Sequence, residues 1–347
     1  MTTTLLARLD SDGDVLLAGP AVRAVAASGD RVVLLVGPAG AAAARLLPGV
    51  DEVLVWSCPW VVADPGPVQP ADVDRVVRRL RAVGVDRALV LTSFHQSPLP
   101  TALVLRLAGV PWVGAVSEDY PGSLLDLRHR LPEQGLHEAQ RQLQLAEAAG
   151  FALPDADDGG LAVARPLLDT RLLTGDEPYV VVHPGASVPA RAPSPSWAAA
   201  LVEALADAGH RVLITGGPGE TALTREVAGS RGVDLGGRTS LAELADVLDR
   251  ASCTVVGNTG PAHLSAAVGT PVVSLFAPVV PAERWRPWGV PSTLLGDQTA
   301  ACALTRARAC PVAGHPCLSS VPVSEALATV QALTTAVPQR RVLEVSA

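Results

Sequence analysis

Lysine is missing from this chain: all 27 basic residues are arginine, against 34 acidic residues, for a formal net charge of −7. General nucleic-acid binding needs a surplus of positive charge on one face, and this composition argues against it. An acidic protein still binds a single nucleotide through a local site. Cysteine is scarce, five in 347 residues, and an odd count in a chain of this size gives no disulfide framework. A reduced, cytoplasmic protein is expected. Long apolar runs are also lacking. The longest uncharged window, 254–281, is interrupted by Asn, His, Gly and several prolines, which is unsuited to a membrane span. The opening MTTTLLARLD is too short and too quickly charged for a secretory signal.

What is present points to layered α/β architecture. Hydrophobic residues make up 48% of the chain, and the 31 glycines and 30 prolines are scattered as turn punctuation. That pattern fits strands buried on both faces by helices, and the length suits two domains. Through the first half, strands are predicted over 4–9, 31–36, 53–56, 87–92 and 110–116. Helices over 15–26, 41–47, 71–83, 99–107 and 137–150 alternate with them. A Pro-, Asp- and Gly-rich stretch follows over 151–178, and its last part, 166–178, is taken as the linker. The alternation resumes with strands over 180–183, 211–215, 233–235, 254–256 and 272–276 and helices over 196–208, 220–229, 241–251 and 261–268. A final helix is expected over 323–337. The domains are therefore set at 1–165 and 179–322, with 323–347 as a tail.

The stretch TVVGNTGPAHLSAAVGTPVVSLFAPVVP at 254–281 organises the rest. A short β-branched strand is broken at Gly257-Asn258-Thr259-Gly260-Pro261, a helix follows, and a second buried strand begins at Val272. Pro261 suits a first helical position, where its missing N–H costs nothing. The turn sits at the carboxyl end of a strand in a parallel βαβ unit, where open α/β sheets bind ligands. Free N–H groups and the helix dipole favour an anion there, with His263 in the first turn. A capped corner with a satisfied histidine is the plainer reading of the same residues.

GNTGPAHLSAAVGTPVVSLFAP, followed by Glu283-Arg284-Trp285 and Pro287-Trp288-Gly289, resembles the C-terminal signature of glycosyltransferase family 9, the heptosyltransferase family. RLDSDGDVLLAGPAVRAV resembles its N-terminal signature, a Gly-Asp pair between the first strand and the first helix. The resemblance implies the GT-B arrangement: two Rossmann-like, doubly wound parallel-sheet domains facing a central cleft, acceptor in the first and nucleotide-sugar donor in the second. It implies an inverting, metal-independent transferase with no cofactor beyond its nucleotide-sugar co-substrate, ADP-heptose in the family. The tail helix is expected to cross back to the first domain.

Carried over residue by residue, Gly13 and Asp14 match the Gly-Asp pair, and Asp14 becomes the general base. Alone, Asp14, Asp12 or Ser11 would read as a helix cap. Ser11, His95 and Gln96 lie at carboxyl ends of strands on the acceptor side, with a satisfied polar loop as the alternative. HPGASVPAR (183–191) resembles the donor-phosphate loop, giving Ser187 and Arg191, the latter where the family carries Lys. A guanidinium suits a phosphate through its fixed fork and permanent charge. Glu220 matches the ribose-contacting Glu by spacing, or is a first-turn acid. The donor turn contributes Asn258, Thr259, Gly260, Pro261 and His263. Asn258 stands where the family usually has Asp, so the donor sugar is left open. Cys302, Cys310 and Cys317 fall where the family often shows a cysteine cluster, but Thr305 replaces one member, and buried thiols are expected over zinc.

The acceptor is a glycan or a small molecule. Absence of lysine beside abundant Ala, Arg, Gly and Val marks GC-rich coding, which fits bacteria that make no lipopolysaccharide. Trp56 and Trp60 offer either a peripheral membrane contact or packing on a helix. The alternatives are a nucleotide-sugar epimerase on the same fold, which would need further acid/base groups in the donor domain, and a catalytically degenerate nucleotide-sugar-binding protein.

Overall fold

The computed structural model describes residues 1–62, 64–93, 95–131 and 135–336. Two compact units divide the chain, Met1–Arg165 and Pro166–Ala347.

The first unit holds strands β1 (Thr3–Arg8), β2 (Arg31–Val36), β3 (Glu52–Val55), β4 (Arg87–Val90), β5 (Trp112–Val116) and β6 (Leu127–His129). Its helices are α1 (Asp12–Leu17), α2 (Gly19–Ala26), α3 (Ala41–Ala44), α4 (Pro70–Val83), α5 (Leu99–Leu107) and α6 (Glu138–Ala148). The strands form one sheet in the order β3-β2-β1-β4-β5-β6, every pair parallel. β1 is buried along its whole length, as a strand covered on both faces must be.

The second unit repeats the plan. Its strands are β7 (Val180–His183), β8 (Val212–Ile214), β9 (Val233–Asp234), β10 (Cys253–Gly257), β11 (Val272–Leu275) and β12 (Ser292–Leu295). Its helices are α7 (Arg171–Thr174), α8 (Pro195–Asp207), α9 (Thr221–Ala228), α10 (Leu241–Asp249), α11 (Gly260–Val268), α12 (Ala282–Trp285), α13 (Pro316–Ser319) and α14 (Val323–Ala336). The sheet order is β12-β11-β10-β7-β8-β9, again all parallel. Counted within each unit, both sheets have the doubly wound order 3-2-1-4-5-6, whose direction reverses between the first and fourth strands. Ligands bind outside the carboxyl ends at that switch point, here β1/β4 and β7/β10.

Differences from the sequence expectations have local causes. The helix expected over 15–26 is two, α1 and α2, because Pro20 cannot donate to the carbonyl four residues back. The edge strands β6 and β12 were not expected from the sequence. β6 has three residues and β12 four, half-buried apart from Leu295, too short and too little buried for a hydrophobic period. The 166–178 stretch carries α7, where the Thr170 N–H and hydroxyl donate to Asp246 Oδ2 at 2.9 and 2.6 Å. That ties the stretch to α10. The tail helix α14 packs on the core of the second unit. Ala326 and Val330 sit fully buried in the core with Val180, Leu201 and Val255; residue 337 lies outside the described residues. Trp56 is only 8% exposed. It stacks edge-on with Trp60 at 5.1 Å, and the Trp60 indole donates to Thr101 Oγ1 of α5 at 3.1 Å. The pair packs on a helix, the second of its two readings. No described helix is long and apolar enough to cross a membrane.

Candidate active site

In the first unit, the carboxyl end of β1 delivers an ionic cluster. Arg8 has no solvent exposure. Its Nη2 donates to Asp14 Oδ1 at 2.9 Å and to Ser93 Oγ at 3.0 Å, and its Nε lies 3.3 Å from Asp10 Oδ2. Burial alone would lower the Arg8 pKa, but Asp10, Asp14 and the fully buried Glu138 together raise it, so the guanidinium stays charged. Ser11 precedes α1 and donates to Asp14 Oδ2 at 2.8 Å. Asp14 is thus held on both oxygens in the first turn of α1 while keeping 22% of its side chain exposed. Asp12 accepts from the Ala43 N–H of α3 at 2.9 Å, and the N-cap residue of α1, Ser11, makes no side-chain capping bond to it. Gly13 is buried inside α1.

Gln96, from the loop after β4, accepts from the Ser93 N–H at 3.0 Å and donates to Asp10 Oδ1 at 2.6 Å. Burial pushes the Asp10 carboxyl up; Arg8 and Gln96 pull the other way, and Asp14 adds to the rise. Asp10, Gln96 and the exposed His95 line a cavity of about 360 Å³ at the β1/β4 switch point, a size that suits a small ligand. Sequence reasoning missed Arg8, Asp10 and Glu138. One signal was present: a charged residue closing a strand buried on both faces requires carboxylate partners.

In the second unit, the residues expected to bind the donor follow the carboxyl ends of β7, β8 and β10. Gly257 ends β10, and a Cβ there would lie 2.4 Å from the Arg191 carbonyl oxygen. The backbone of the Ser187–Arg191 loop therefore runs directly against the Asn258 turn, with Ser187 exposed and Arg191 half-buried. Asn258 is 4% exposed, yet neither its amide nitrogen nor its amide oxygen has a hydrogen-bond partner among the described residues, and the buried Thr259 hydroxyl has none either. Such groups cost roughly 1–3 kcal/mol each when left unpaired. They open α11, whose first residues are Gly260 and Pro261 and which buries His263 at 5% exposure. The N-cap residue, Thr259, makes no side-chain capping bond to this helix start.

Glu220 accepts from the Gly217 N–H at 2.7 Å, so it caps its own turn. Its Oε1 occupies the space a Cβ on Gly185 would need, 1.9 Å away. His183, at the end of β7, bonds Thr215 Oγ1 through Nδ1 at 2.9 Å and keeps Nε2 4.0 Å from Glu220 Oε2. Burial lowers the His183 pKa while Glu220 raises it. Cys302 and Cys317 are buried and Cys310 half-buried, all free thiols. Burial, with Cys302 and Cys310 close by, pushes Cys317 to about 11. Among the described residues no group of three or more His, Cys, Asp or Glu is disposed to hold a metal ion.

Among solved structures, the glycosyl transferase family 9 protein of Veillonella parvula DSM 2008 superposes with a TM-score of 0.77 at 16% identity, covering 97% of this chain and 98% of that one. E. coli ADP-heptose lps heptosyltransferase II gives 0.74 at 18%, covering 96% and 99%. At these identities the likeness establishes the fold, GT-B. Over 175 residues the sequence is 30% identical to Lipopolysaccharide heptosyltransferase 3 of Escherichia coli (strain K12), covering 46% of this chain and 49% of that protein. The chain spans about half the length of the curated relatives it matches. The family described as Glycosyltransferase family 9 (heptosyltransferase) matches residues 73–314, which include the whole Asn258 turn and begin after Asp14. On that match the chain belongs to glycosyltransferase family 9.

Proposed function

We propose that the chain is an inverting glycosyltransferase. It moves a heptose or related sugar from a nucleoside-diphosphate donor, ADP-heptose, to a hydroxyl of a glycan or small-molecule acceptor. The observation that carries this reading is the unpartnered amide of Asn258 with the Thr259 hydroxyl beside it. Buried polar groups are normally paired, and these sit at the start of α11, where N–H groups and dipole favour a diphosphate. Asn in place of the family's Asp offers both donor and acceptor to sugar hydroxyls without charge.

In the reaction, Asp14 takes the proton as the acceptor hydroxyl attacks the anomeric carbon. The new C–O bond forms as the bond to the diphosphate breaks, and the electron pair leaves with the nucleoside diphosphate. Arg191, the N–H groups opening α11 and His263 meet the developing negative charge, so the scheme needs no metal. Well-placed donors contribute about 10²–10³ in rate each, and general-base help about 10²–10⁴. Glu220 contacts the ribose through the oxygen not engaged by Gly217. We assign the first unit to the acceptor and the second to the donor, and place the activity in the cytoplasm on the five free thiols.

The test is to incubate the protein with ADP-heptose and a panel of methyl glycosides in the presence of EDTA, following ADP release and the product's anomeric configuration by NMR. A product of opposite configuration to the donor supports the reading. Retained configuration, or dependence on an added divalent cation, overturns the mechanism.

A further inference from the structure

The cavity at the β1/β4 switch point has an unusual charge character. Asp10 is the carboxylate in its lining, with 14% of its side chain exposed. Arginine is absent from the described lining, and the chain has no lysine. The nearby cation, Arg8, is wholly buried and already shared by Asp10 and Asp14, so it presents nothing to a ligand. The remaining polar lining is neutral or imidazole: Thr92, His95, Gln96, Ser97 and Thr101. Trp60 supplies an aromatic wall, pinned through its indole N–H, a surface on which a sugar ring packs.

We propose that this cavity holds a sugar ring of the acceptor that is neutral or carries a protonated amine, and that Asp10 selects against a carboxylate or phosphate on that ring. The proposal rests on the first unit being the acceptor domain. Asp10 Oδ1 is fixed by Gln96 and Oδ2 faces Arg8. The carboxylate is therefore pre-oriented to accept from ligand hydroxyl or ammonium donors, while an anion brought beside it meets a like charge with no arginine in the described lining to offset it. Placing a like charge against the unwanted ligand is an economical route to specificity.

Saturation-transfer NMR on the full chain at about pH 8, where an ordinary imidazole is neutral, tests this with methyl glucoside, methyl glucosaminide and methyl glucuronide. The glucoside and the glucosaminide should bind, with the glucuronide weaker by about tenfold or more. Asp10→Asn should bring the three within about twofold of one another. Pro100→Arg, which sets a cation on the exposed rim of the cavity, should restore glucuronide binding and serves if the Asp10 variant does not fold. Equal or tighter binding of the glucuronide by the native chain overturns the proposal. So does failure of all three to bind, or a preference unchanged in both variants. ADP stabilisation measured on the same samples separates the cases: if ADP still binds, only the acceptor assignment fails, and if it does not, the transferase reading fails with it.

Discussion

Arg8 donates to Asp14 at 2.9 Å from a position with no solvent exposure, so the proposed general base is anchored from inside the protein. Asp14→Asn keeps the shape and should lower turnover by about 10²–10⁴ while leaving ADP stabilisation intact; undiminished turnover would remove Asp14 from the mechanism. Arg8→Met removes the buried cation that Asp10 and Asp14 share. Breaking a buried ion pair costs about 3–5 kcal/mol, which urea denaturation will show as a lowered midpoint.

Asn258 presents the opposite balance. Its amide is buried without a partner among the described residues, so Asn258→Ala should leave the ligand-free protein as stable as the native chain or slightly more so. The same change should weaken nucleotide-sugar binding by about 1–3 kcal/mol. Calorimetric melting without ligand and titration with ADP-sugar read the two effects separately. A clear loss of stability in the free protein would mean that the amide is structural.

Gly257 is needed for close approach. A Cβ 2.4 Å from the Arg191 carbonyl forces the donor loop off β10. Gly257→Ala should therefore raise KM for the donor more than it changes acceptor binding. Equal effects on both substrates would separate this contact from the donor site.

The pH prediction concerns Asp157. Hydrogen bonds from Arg23 Nε and Nη2 at 2.6 and 2.8 Å, helped by the Gly159 N–H, hold its carboxyl below the usual range. A depressed carboxyl pKa adds stability above the unfolded value and loses it as pH falls through the folded one. The native chain should therefore lose about 1 kcal/mol or less below about pH 4, relative to Asp157→Asn. Parallel acid-unfolding curves for the two proteins would contradict this.

The fold was legible because its signals are local. Helix α5 and strand β7 fall where apolar periodicity places them, and the Asn258 turn follows from a β-branched run, a glycine break and a proline at the helix start. The first-unit cluster was not legible. Arg8 meets Ser93 across 85 residues and Gln96 reaches Asp10 across 86, and such pairings exist only once β1 and β4 lie side by side. The Gly-Asp motif singled out Asp14, whereas Asp10, two residues beyond the end of β1 and in the same stretch, was given no role by it. The open choice at Glu220 had a similar cause, since spacing alone does not show that Gly217 takes one of its oxygens.

The second unit is proposed to bind a nucleoside diphosphate at Asn258 without a metal. Thermal unfolding with EDTA and ADP, UDP or GDP, each alone and as its sugar conjugate, tests it most directly. A ligand at about 100 times its Kd adds about 2.7 kcal/mol. ADP and ADP-heptose should shift the native protein and shift Asn258→Ala much less. Selectivity for UDP or GDP would overturn the donor, and no shift with any nucleotide would contradict the transferase account itself.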